Sequence, residues 1–456
     1  MTMNRLKLTV AHNCTLSGAT PELIAVLKKK LTLVNPKYRD AVRYARWIGK
    51  NLKKELHFYT LAGNDIIFPR GFGNQAVILC RKMGHQVDII DHRRQLTPVE
   101  LSFNGNLRPY QDKACSAMLS REFGVLEAAT GSGKTVMAAA IIAGRRQPAL
   151  ILLHTKELLY QWQERIRNFL GLEPALIGDG SFAMADVTVG LINTVKKHLH
   201  ELPAHYGHII VDECHRTPSS MFTDIIKIFD CRYMLGLTAT PMRRDGLTEL
   251  IHWYIGDMVH RVAQQELDRD DAVLKPCIIS RPTSFTFSYR RNYQDLMTAL
   301  TSNACRNELI VADICSEVKN DAGTALVVSD RVSHCETIYR MLADLGLQPL
   351  LLTGRVSGEE RSDIVRRLQQ GEVRVLVATI QLIGEGFDCP GLTSLFLCTP
   401  IKFEGRLTQV IGRILRPALG KEPKVYDYVD PVGVLKASAR ARRQIYELTL
   451  CSCDQL

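Results

Sequence analysis

The chain has 456 residues, of which 46% are hydrophobic and 23% are charged. This length exceeds what one ordinary hydrophobic core accommodates, so two or three domains are expected, and the composition excludes a disordered or fibrous protein. No apolar run approaches bilayer-spanning length, and the N-terminus lacks the apolar core and cleavage site of a signal peptide. We therefore expect a protein with no membrane partner, in the cytoplasm or, for a viral protein, in the host cytoplasm or nucleoid.

The positive charge is concentrated at one end of the chain. Residues 1–105 contain 17 Lys or Arg and 7 Asp or Glu, a net charge of +10, whereas the remaining residues contain 41 and 40. A basic domain attached to a near-neutral body indicates a polyanionic partner, with nucleic acid as the first candidate. The alternative is a solvated helix face, because four basic residues fall at helical spacing: Arg43, Arg46, Lys50 and Lys54.

The thirteen cysteines are scattered and include no C-x-x-C pair. This spacing argues against a zinc ribbon or a four-cysteine iron–sulfur cluster. Buried free thiols are the expected state of these residues.

The first 105 residues are predicted to form a small basic α+β domain. Alternation of apolar and polar residues predicts strands at "RLKLTV", "ELHFYTL", "DIIFP" and "QVDIID". Helices are predicted over 21–31, over 37–54 and at "QAVILCRKMG".

Two runs of alternating strand and helix follow, over residues 106–262 and 306–456. Their short strands are rich in Val, Ile and Leu and are separated by amphipathic helices, as in "ALILLHT" followed by "KELLYQWQERIRNFL". This pattern predicts two tandem doubly wound α/β domains, each with a parallel sheet covered on both faces. Residues 263–305 are predicted to be a linker with a small helical insertion.

The segment "EAATGSGKT", residues 127–135, lies between a predicted strand and a predicted helix. This is the context that a phosphate-binding loop requires. Its glycines allow backbone N–H groups to approach phosphates at the positive end of a helix dipole. Lys134 is expected to reach the β- and γ-phosphates of ATP, and the Thr135 hydroxyl to hold Mg²⁺. The predicted nucleotide-binding residues of the loop are Thr130, Gly131, Ser132, Gly133, Lys134 and Thr135.

The stretch "HIIVDECHRT", residues 208–217, permits three interpretations: a metal cluster, a thiol–imidazole nucleophile pair, or the acidic end of a nucleotide site. A strand ending in two carboxylates about eighty residues after a phosphate loop favours the third. Asp212 is expected to hold Mg²⁺, partly through water, and Glu213 to polarise the attacking water as general base. Cys214 is then a small filler.

Motifs in a fixed order over residues 108–416 resemble those of the superfamily 2 helicases and translocases. They are "LRPYQ", "HTKELLYQW", "GLINTV", "DECH" and "GLTATPMRRDG" in the first α/β domain, and "LVVSDRVSHCETI", "LLTGRVSGEER", "ATIQLIGEGFDCPGL" and "QVIGRILRP" in the second. The motifs "GLTATP-x-R-x-D-G" and "QxxGRxxR" resemble those of the XPB/UvsW-like DNA helicases more than those of the RNA-type DEAD-box proteins. The basic N-terminal domain also resembles the XPB and UvsW architecture.

The resemblance implies RecA-like domains with ATP in the cleft between them, and it implies further site residues. Those that contact the nucleotide are Arg108, Gln111, Gly386 and Asp388. Those that complete catalysis from the second domain are Gln409, Arg413 and Arg416, the two arginines acting as arginine fingers. Those that couple the nucleotide to the nucleic acid are His215, Thr238 and Thr240, with His215 contacting Gln409. Those that line the nucleic-acid track are Thr155, Asn193, Thr194 and Thr379.

The function expected from these features is an ATP- and Mg²⁺-dependent DNA helicase or translocase that acts on branched, forked or partly duplex DNA. An RNA-dependent ATPase is an alternative from the same chemistry. An ATP-driven remodeller of protein–DNA complexes without strand separation is an alternative from a different class, and a restriction-system motor subunit is another.

Overall fold

The computed structural model describes residues 5–43, 47–215, 219–239, 247–263, 266–267, 274–289, 292–321, 323–383, 389, 391–401, 404–415 and 421–449. The chain divides into two compact units, one of residues 1–128 and 133–262 and the other of 263–456 with 129–132. The first unit contains a five-stranded and an eight-stranded sheet, and the second a six-stranded sheet. The predicted class, two doubly wound α/β domains after a small α+β domain, is confirmed. Within the described residues, no helix combines the length and apolarity needed to cross a bilayer.

The N-terminal domain is built on a five-stranded sheet of order β5-β6-β2-β1-β7, in which only β1 and β7 pair in parallel. A separate antiparallel pair joins β3 to β4. Leu6, Leu8 and Val10 alternate with more exposed residues along β1 and point into the core, as a half-buried strand requires. The elements are β1 (Arg5–Val10), β2 (Asn13–Ser17), α1 (Pro21–Lys30), β3 (Thr32–Val34), α2 (Pro36–Arg43), β4 (Glu55–His57), β5 (Thr60–Ala62), β6 (Asp65–Pro69), α3 (Gly73–Lys82) and β7 (Gln86–Asp91).

The predicted helix over 37–54 is wrong in its second half. Helix α2 ends at Arg43, and residues 47–54 are not helical. Asn35 explains the difference: its backbone N–H donates to Lys54 O at 2.9 Å and its side-chain Nδ2 donates to Lys53 O at 2.8 Å. A continuous helix would place Lys54 ~28 Å from Asn35, because each helical residue rises ~1.5 Å. The chain therefore turns back, and the four basic residues at helical spacing do not form one helix face.

The first α/β domain has an eight-stranded sheet of order β11-β10-β12-β9-β13-β14-β8-β15, parallel except for β10 with β11. Strands β9 and β13 are buried along their whole length, as expected of a parallel sheet covered on both faces. The elements are α4 (Pro109–Leu119), β8 (Phe123–Glu127), α5 (Lys134–Arg145), β9 (Ala149–Leu153), α6 (Lys156–Leu170), β10 (Ala175–Gly178), β11 (Ser181–Phe182), β12 (Val187–Leu191), α7 (Ile192–Val195), β13 (His208–Val211), α8 (Ser219–Ile226), β14 (Tyr233–Thr238), α9 (Glu249–Ile255) and β15 (Met258–Arg261).

The N-terminal domain and the first α/β domain share one hydrophobic cluster. Phe72 of the N-terminal domain packs in the same core as Leu250 and Trp253 of α9, with ring centroids of Phe72 and Trp253 6.1 Å apart. Arg70 is buried and donates from Nη1 to Cys231 O at 2.7 Å. A Cβ atom on Gly71 would lie 2.3 Å from His252 O, so backbone touches backbone at this contact. The two sheets are separate, but their cores are continuous.

The second α/β domain has a parallel six-stranded sheet of order β16-β21-β20-β17-β19-β18. Strand β16 lies within the segment predicted as a linker and pairs with β21, so the described part of that segment supplies an edge strand. The elements are β16 (Cys277–Pro282), α10 (Tyr293–Thr301), α11 (Ala304–Asn320), β17 (Thr324–Ser329), α12 (Val332–Asp344), β18 (Leu350–Leu352), α13 (Gly358–Gln369), β19 (Val375–Thr379), α14 (Ile380–Ile383), β20 (Leu392–Leu397), α15 (Glu404–Ile411), β21 (Lys424–Val429) and α16 (Gly433–Thr449).

The eleven cysteines in the described part of the chain are all free thiols, and eight of them are buried. Burial raises the pKa of several of these thiols, including that of Cys115, to about 12. The prediction of buried free thiols is confirmed for those eight, whereas Cys277 and Cys305 are exposed.

Candidate nucleotide-binding site

The candidate site lies at the carboxyl edge of the eight-stranded sheet, where β13, β14 and β8 are neighbours. Ligands of open parallel sheets bind at this edge, because the loops that follow the strands converge there. The predicted phosphate loop follows β8, the acidic pair follows β13, and the described part of the coupling motif begins within β14, which ends at Thr238. Three motifs that are far apart in sequence are thus brought to adjacent strand ends.

The phosphate loop links β8 to α5 through residues 128–133. Gly131 and Gly133 have φ angles of 89° and 83°, in the left-handed region that glycine tolerates best. Helix α5 begins directly at Lys134, whose Nζ donates to Ala128 O at 3.1 Å. The first backbone N–H groups of a helix have no partner within it and attract anions. The strand–loop–helix arrangement predicted for a phosphate site is therefore present.

Gln111 lies beside this loop on the first turn of α4. Its Oε1 accepts the backbone N–H of Arg108 at 3.0 Å, and its Nε2 donates to Tyr110 OH at 3.3 Å. A Cβ atom on Gly133 would lie 2.4 Å from Gln111 Nε2, so the glycine makes room for the amide. The predicted base-reading residue and the phosphate loop are adjacent.

Asp212 is the first residue after β13, and both of its carboxylate oxygens accept hydrogen bonds. Trp162 Nε1 donates to Oδ2 at 2.8 Å, and the Glu213 backbone N–H donates to Oδ1 at 2.8 Å. Burial, together with the negative charge of Glu213, raises the pKa of Asp212 to about 6, while the Trp162 hydrogen bond and the charge of Lys134 act in the opposite direction. The carboxylate is thus held in one orientation in a setting that disfavours its charge.

Trp162 lies within the motif "HTKELLYQW", and the motif by itself predicts no contact with Asp212. A usable signal was present: Trp162 lies on the core-facing side of amphipathic helix α6, and a buried indole N–H requires an acceptor. The identity of that acceptor depends on the tertiary fold.

Glu213 has a φ angle of 48°, a left-handed conformation that is uncommon for residues other than glycine. Such conformations persist where the surrounding structure holds them and are concentrated at functional sites. The turn places Glu213 Oε2 3.3 Å from His215 Nδ1, and the same nitrogen lies 2.9 Å from Thr238 Oγ1. The predicted base and two predicted coupling residues therefore form one contact chain.

Strand β14 ties the phosphate loop to the acidic turn through its backbone. Thr238 O accepts the N–H of Ala128 at 2.9 Å, and Leu237 O accepts the N–H of Cys214 at 3.0 Å. Cys214 is buried below this edge, consistent with its predicted role as a filler. The third predicted coupling residue, Thr240, lies outside the described residues.

Residues predicted to contact nucleic acid follow other strand ends. Thr155 follows β9 and caps α6, with Oγ1 accepting the Leu158 N–H at 3.4 Å. Asn193, which is exposed, and Thr194 lie in α7, directly after β12. In the second α/β domain Thr379 ends β19. Contact of these residues with nucleic acid stays a prediction.

The second α/β domain contains the remaining predicted catalytic residues. Gln409 lies on α15 and is buried, and Arg413 follows the end of the same helix with most of its surface covered. Three predicted residues lie outside the described part of the chain: Gly386, Asp388 and Arg416.

Two family models match the chain. The one described as "Type III restriction enzyme, res subunit" matches residues 104–243, and the one described as "Helicase conserved C-terminal domain" matches residues 307–418. Each match falls on one of the two doubly wound domains, and the fold, the candidate site and the matches define a nucleic-acid-dependent ATPase of helicase type. The chain belongs to the superfamily 2 helicases and translocases, of the XPB/UvsW type.

Two relatives illustrate the similarity. The DNA 3'-5' translocase XPB2 of Sulfurisphaera tokodaii is 27% identical over 346 residues, which cover 68% of this chain and 78% of the relative. The ATP-dependent DNA helicase uvsW of Enterobacteria phage T4 is 23% identical over 451 residues, covering 91% of this chain and 87% of the relative.

A solved structure of S. cerevisiae Dbp5 bound to RNA and ADP BeF3 is similar in fold. Its TM-score is 0.58 at 16% sequence identity, and the match covers 75% of this chain and 87% of that chain. At this identity the similarity supports the architecture alone.

Proposed function

We propose that this protein is an ATP-driven DNA motor that acts on branched or partly duplex DNA. The observation that carries the proposal is the contact chain Glu213–His215–Thr238 at the same sheet edge as the phosphate loop. Such a chain connects the group that would activate water to the strand that hydrogen-bonds to the loop. Phosphate occupancy can therefore be transmitted to the segment that follows β14.

Within this proposal, Lys134 and the N–H groups of residues 131–135 bind the β- and γ-phosphates, and Gln111 reads the adenine edge. Glu213 accepts a proton from the attacking water. The left-handed backbone at Glu213 supports this role, because such conformations are concentrated at functional sites.

The residues present fit a magnesium ion. Asp212 is a buried carboxylate next to a second carboxylate, and carboxylate and hydroxyl oxygens are the ligands that Mg²⁺ prefers. Asp212 and the Thr135 hydroxyl would hold the ion, partly through water. When bound, Mg²⁺ neutralises charge on the phosphate oxygens during phosphoryl transfer.

The second α/β domain is proposed to supply Gln409 and Arg413, and also Arg416, to the transferring phosphoryl group. Gly386 and Asp388 are proposed to contact the nucleotide. The remaining contribution, from Thr155, Asn193, Thr194 and Thr379, is to contact phosphates of the nucleic-acid strand.

Two observations favour DNA with a branch or a duplex–single-strand boundary. The relatives named above are a DNA translocase and a DNA helicase. The net charge of +10 in residues 1–105 lies outside the two α/β domains, so a second nucleic-acid contact is available beside the motor.

Steady-state ATPase activity with a panel of nucleic acids tests the proposal. The panel contains single-stranded DNA, blunt duplex, a fork, a four-way junction and single-stranded RNA at one salt concentration. The largest stimulation is expected with the fork and the junction. Stimulation by RNA alone would contradict the proposed substrate.

Lys134→Ala tests whether the ATPase activity depends on the phosphate loop. The matched control is Lys113→Ala, on the exposed face of α4. The Lys134 variant is expected to lose turnover under every condition while its melting temperature is retained. Normal ATP turnover in that variant would contradict the proposed role of the phosphate loop in binding ATP.

A further inference from the structure

Residues 28–57 form a distinct part of the N-terminal domain, which we call the basic module. It contains ten Lys or Arg, one Asp and one Glu, a net charge of +8. The whole chain carries +11, so most of the excess charge of the protein lies in this one segment. Its charge is too concentrated to be an average property of the surface.

The described part of the module, residues 28–43 and 47–57, has a defined backbone. Strands β3 and β4 pair through Thr32 with His57, Leu33 with Leu56 and Val34 with Glu55. Asn35 holds Lys53 and Lys54 against the start of α2 through the two hydrogen bonds given above. The Asn35 side chain also accepts the Lys37 N–H at 3.0 Å. One buried asparagine thus links the two ends of the segment that connects β3 to β4.

The charged side chains of the module are directed to solvent. Of the nine lysines and arginines that the structure describes there, eight are exposed: Lys29, Lys30, Lys37, Arg39, Arg43, Lys50, Lys53 and Lys54. Two carboxylates accompany them: Asp40, whose Oδ1 lies 4.0 Å from Arg39 Nε, and Glu55, which is exposed. Like charges at this density repel one another, so a polyanion with a regular array of phosphates would relieve the repulsion.

The same module exposes an aromatic side chain. Trp47 is 86% exposed, whereas Trp162 and Trp253 are 1% and 2% exposed. Its ring passes over Gly49, where an added Cβ atom would lie 3.1 Å from Trp47 Cζ3. An exposed indole in the same segment as eight exposed cations matches the composition of single-strand binding surfaces, in which cations follow the backbone and aromatic rings stack on bases.

We propose that the basic module binds nucleic acid that has unpaired bases, with its lysines and arginines on the phosphates and Trp47 stacked on one base. This inference rests on the proposed function and deepens it, because it assigns the contact at a branch or fork to one surface. Duplex DNA offers phosphates to the module but no free base face to Trp47. The module therefore prefers single-stranded segments to blunt duplex.

Tryptophan fluorescence tests the proposal directly, because the chain has three tryptophans and the other two are buried. A 16-residue single-stranded oligonucleotide is titrated into the full chain at fixed salt. Saturable quenching of the solvent-exposed emission is expected, and it should be absent from Trp47→Leu. Affinity should fall roughly 5- to 150-fold in that variant, the range that stacking of one base supports.

Two controls separate stacking from charge. Base-free polyphosphate should bind without quenching, and equal quenching by polyphosphate would overturn the stacking contact. The double variant Lys53→Gln, Lys54→Gln should reduce the slope of log affinity against log salt by about 1.4 for a single strand. The matched pair Arg81→Gln, Lys82→Gln, which is exposed on α3 outside the module, should leave that slope unchanged.

The outcomes distinguish this inference from the proposed function. Unchanged Trp47 emission at oligonucleotide concentrations that fully stimulate the ATPase would overturn the inference and leave the motor standing. Quenching with no stimulation of ATPase by any nucleic acid would contradict the proposed function while supporting the binding surface. If nucleic acid neither quenches Trp47 nor stimulates the ATPase, both the inference and the proposed function are contradicted.

Discussion

Trp162 Nε1 donates a hydrogen bond of 2.8 Å to Asp212 Oδ2 in the interior of the first α/β domain. The two residues are 1% and 6% exposed, so water does not compete for this contact. Because the Glu213 N–H occupies Oδ1, rotation of the carboxylate would break two hydrogen bonds at once. Hydrogen-bond donors that contact a metal-binding side chain, without contacting the metal itself, fix the orientation of that side chain.

Trp162→Phe should weaken the response of the ATPase to magnesium. Loss of the indole N–H leaves the Asp212 carboxylate held by one hydrogen bond instead of two, so the Mg²⁺ concentration for half-maximal activity should rise, or activity fall, about 10- to 100-fold. Activity is measured over a Mg²⁺ titration, and binding of a fluorescent ATP analogue is measured with and without Mg²⁺.

The matched control is Tyr206→Phe, which removes another buried hydrogen bond of 2.8 Å, to Thr188, within the same domain. Both variants lose one buried partner, but only the first touches Asp212. An identical Mg²⁺ dependence in the two variants would show that Trp162 has a packing role alone.

Asp212→Asn should change the pH dependence of stability in the nucleotide-free protein. The folded-state pKa of Asp212 is raised from 3.8 to about 6, so the native state holds this proton more tightly than the unfolded chain. The stability that protonation contributes is present below pH ~4 and is lost as pH rises through ~6. Relative to the wild type, the variant should therefore gain on the order of 1–3 kcal/mol between pH 4.5 and pH 7.5.

Melting temperatures of both proteins at those two pH values measure this gain. A difference between the two proteins that does not vary with pH would contradict the raised pKa of Asp212. Activity should be lost in the variant throughout, as expected where a functional site is maintained against stability.

Glu213→Gln should bind ATP but not turn it over. The amide keeps the size of the side chain and loses the ability to accept a proton, so the variant should accumulate with ATP and nucleic acid bound. Single-turnover hydrolysis and filter binding of labelled DNA measure the two effects. Glu164→Gln, on the exposed face of α6, is the control, and hydrolysis at the control rate in Glu213→Gln would refute the role of general base.

Gly71→Ala should loosen the N-terminal domain from the first α/β domain. The added methyl group would lie 2.3 Å from His252 O and 2.7 Å from Trp253 O, and backbone atoms cannot rotate away as a flexible side chain can. Overpacking of this kind costs about 1–3 kcal/mol, occasionally more. The melting temperature should fall, and limited proteolysis should cleave between β7 and α4.

Gly354→Ala is the comparison for that variant, because a Cβ atom there meets nothing within 4 Å. Equal melting temperatures for the two alanine variants would show that the contact at Gly71 does not stabilise the protein. Deletion of residues 1–100 would be less informative, since it would expose Leu250 and Trp253 and confound loss of DNA binding with loss of folding.

The features predicted correctly from sequence are those with local causes. Buried parallel strands read as continuous apolar runs, as in β9 and β13, and the glycines of the phosphate loop indicate positive φ angles without any tertiary information. The acidic pair is recognisable in the sequence because it follows such a strand.

The features that were missed depend on distant residues. Strand β16 pairs with β21 across more than 140 positions, so the sequence suggested a linker. Strand β2, "NCTLS", is too polar for its alternation to be noticed, although Cys14 and Leu16 are buried. The helix predicted through Lys54 ends at Arg43, because Asn35 donates hydrogen bonds to the backbone carbonyls of Lys53 and Lys54. The Trp162–Asp212 contact likewise joins residues fifty positions apart.

The continuous core of the N-terminal and first α/β domains has a consequence for biosynthesis. Phe68 and Phe72 leave the ribosome long before their partners on α9, which ends at Ile255. At synthesis rates of about 5–20 residues per second, the interval is roughly 10–40 s. During that interval the nascent N-terminal domain displays an unfinished apolar face beside a strongly cationic module, so a chaperone that shields this face would have its greatest effect before α9 is made.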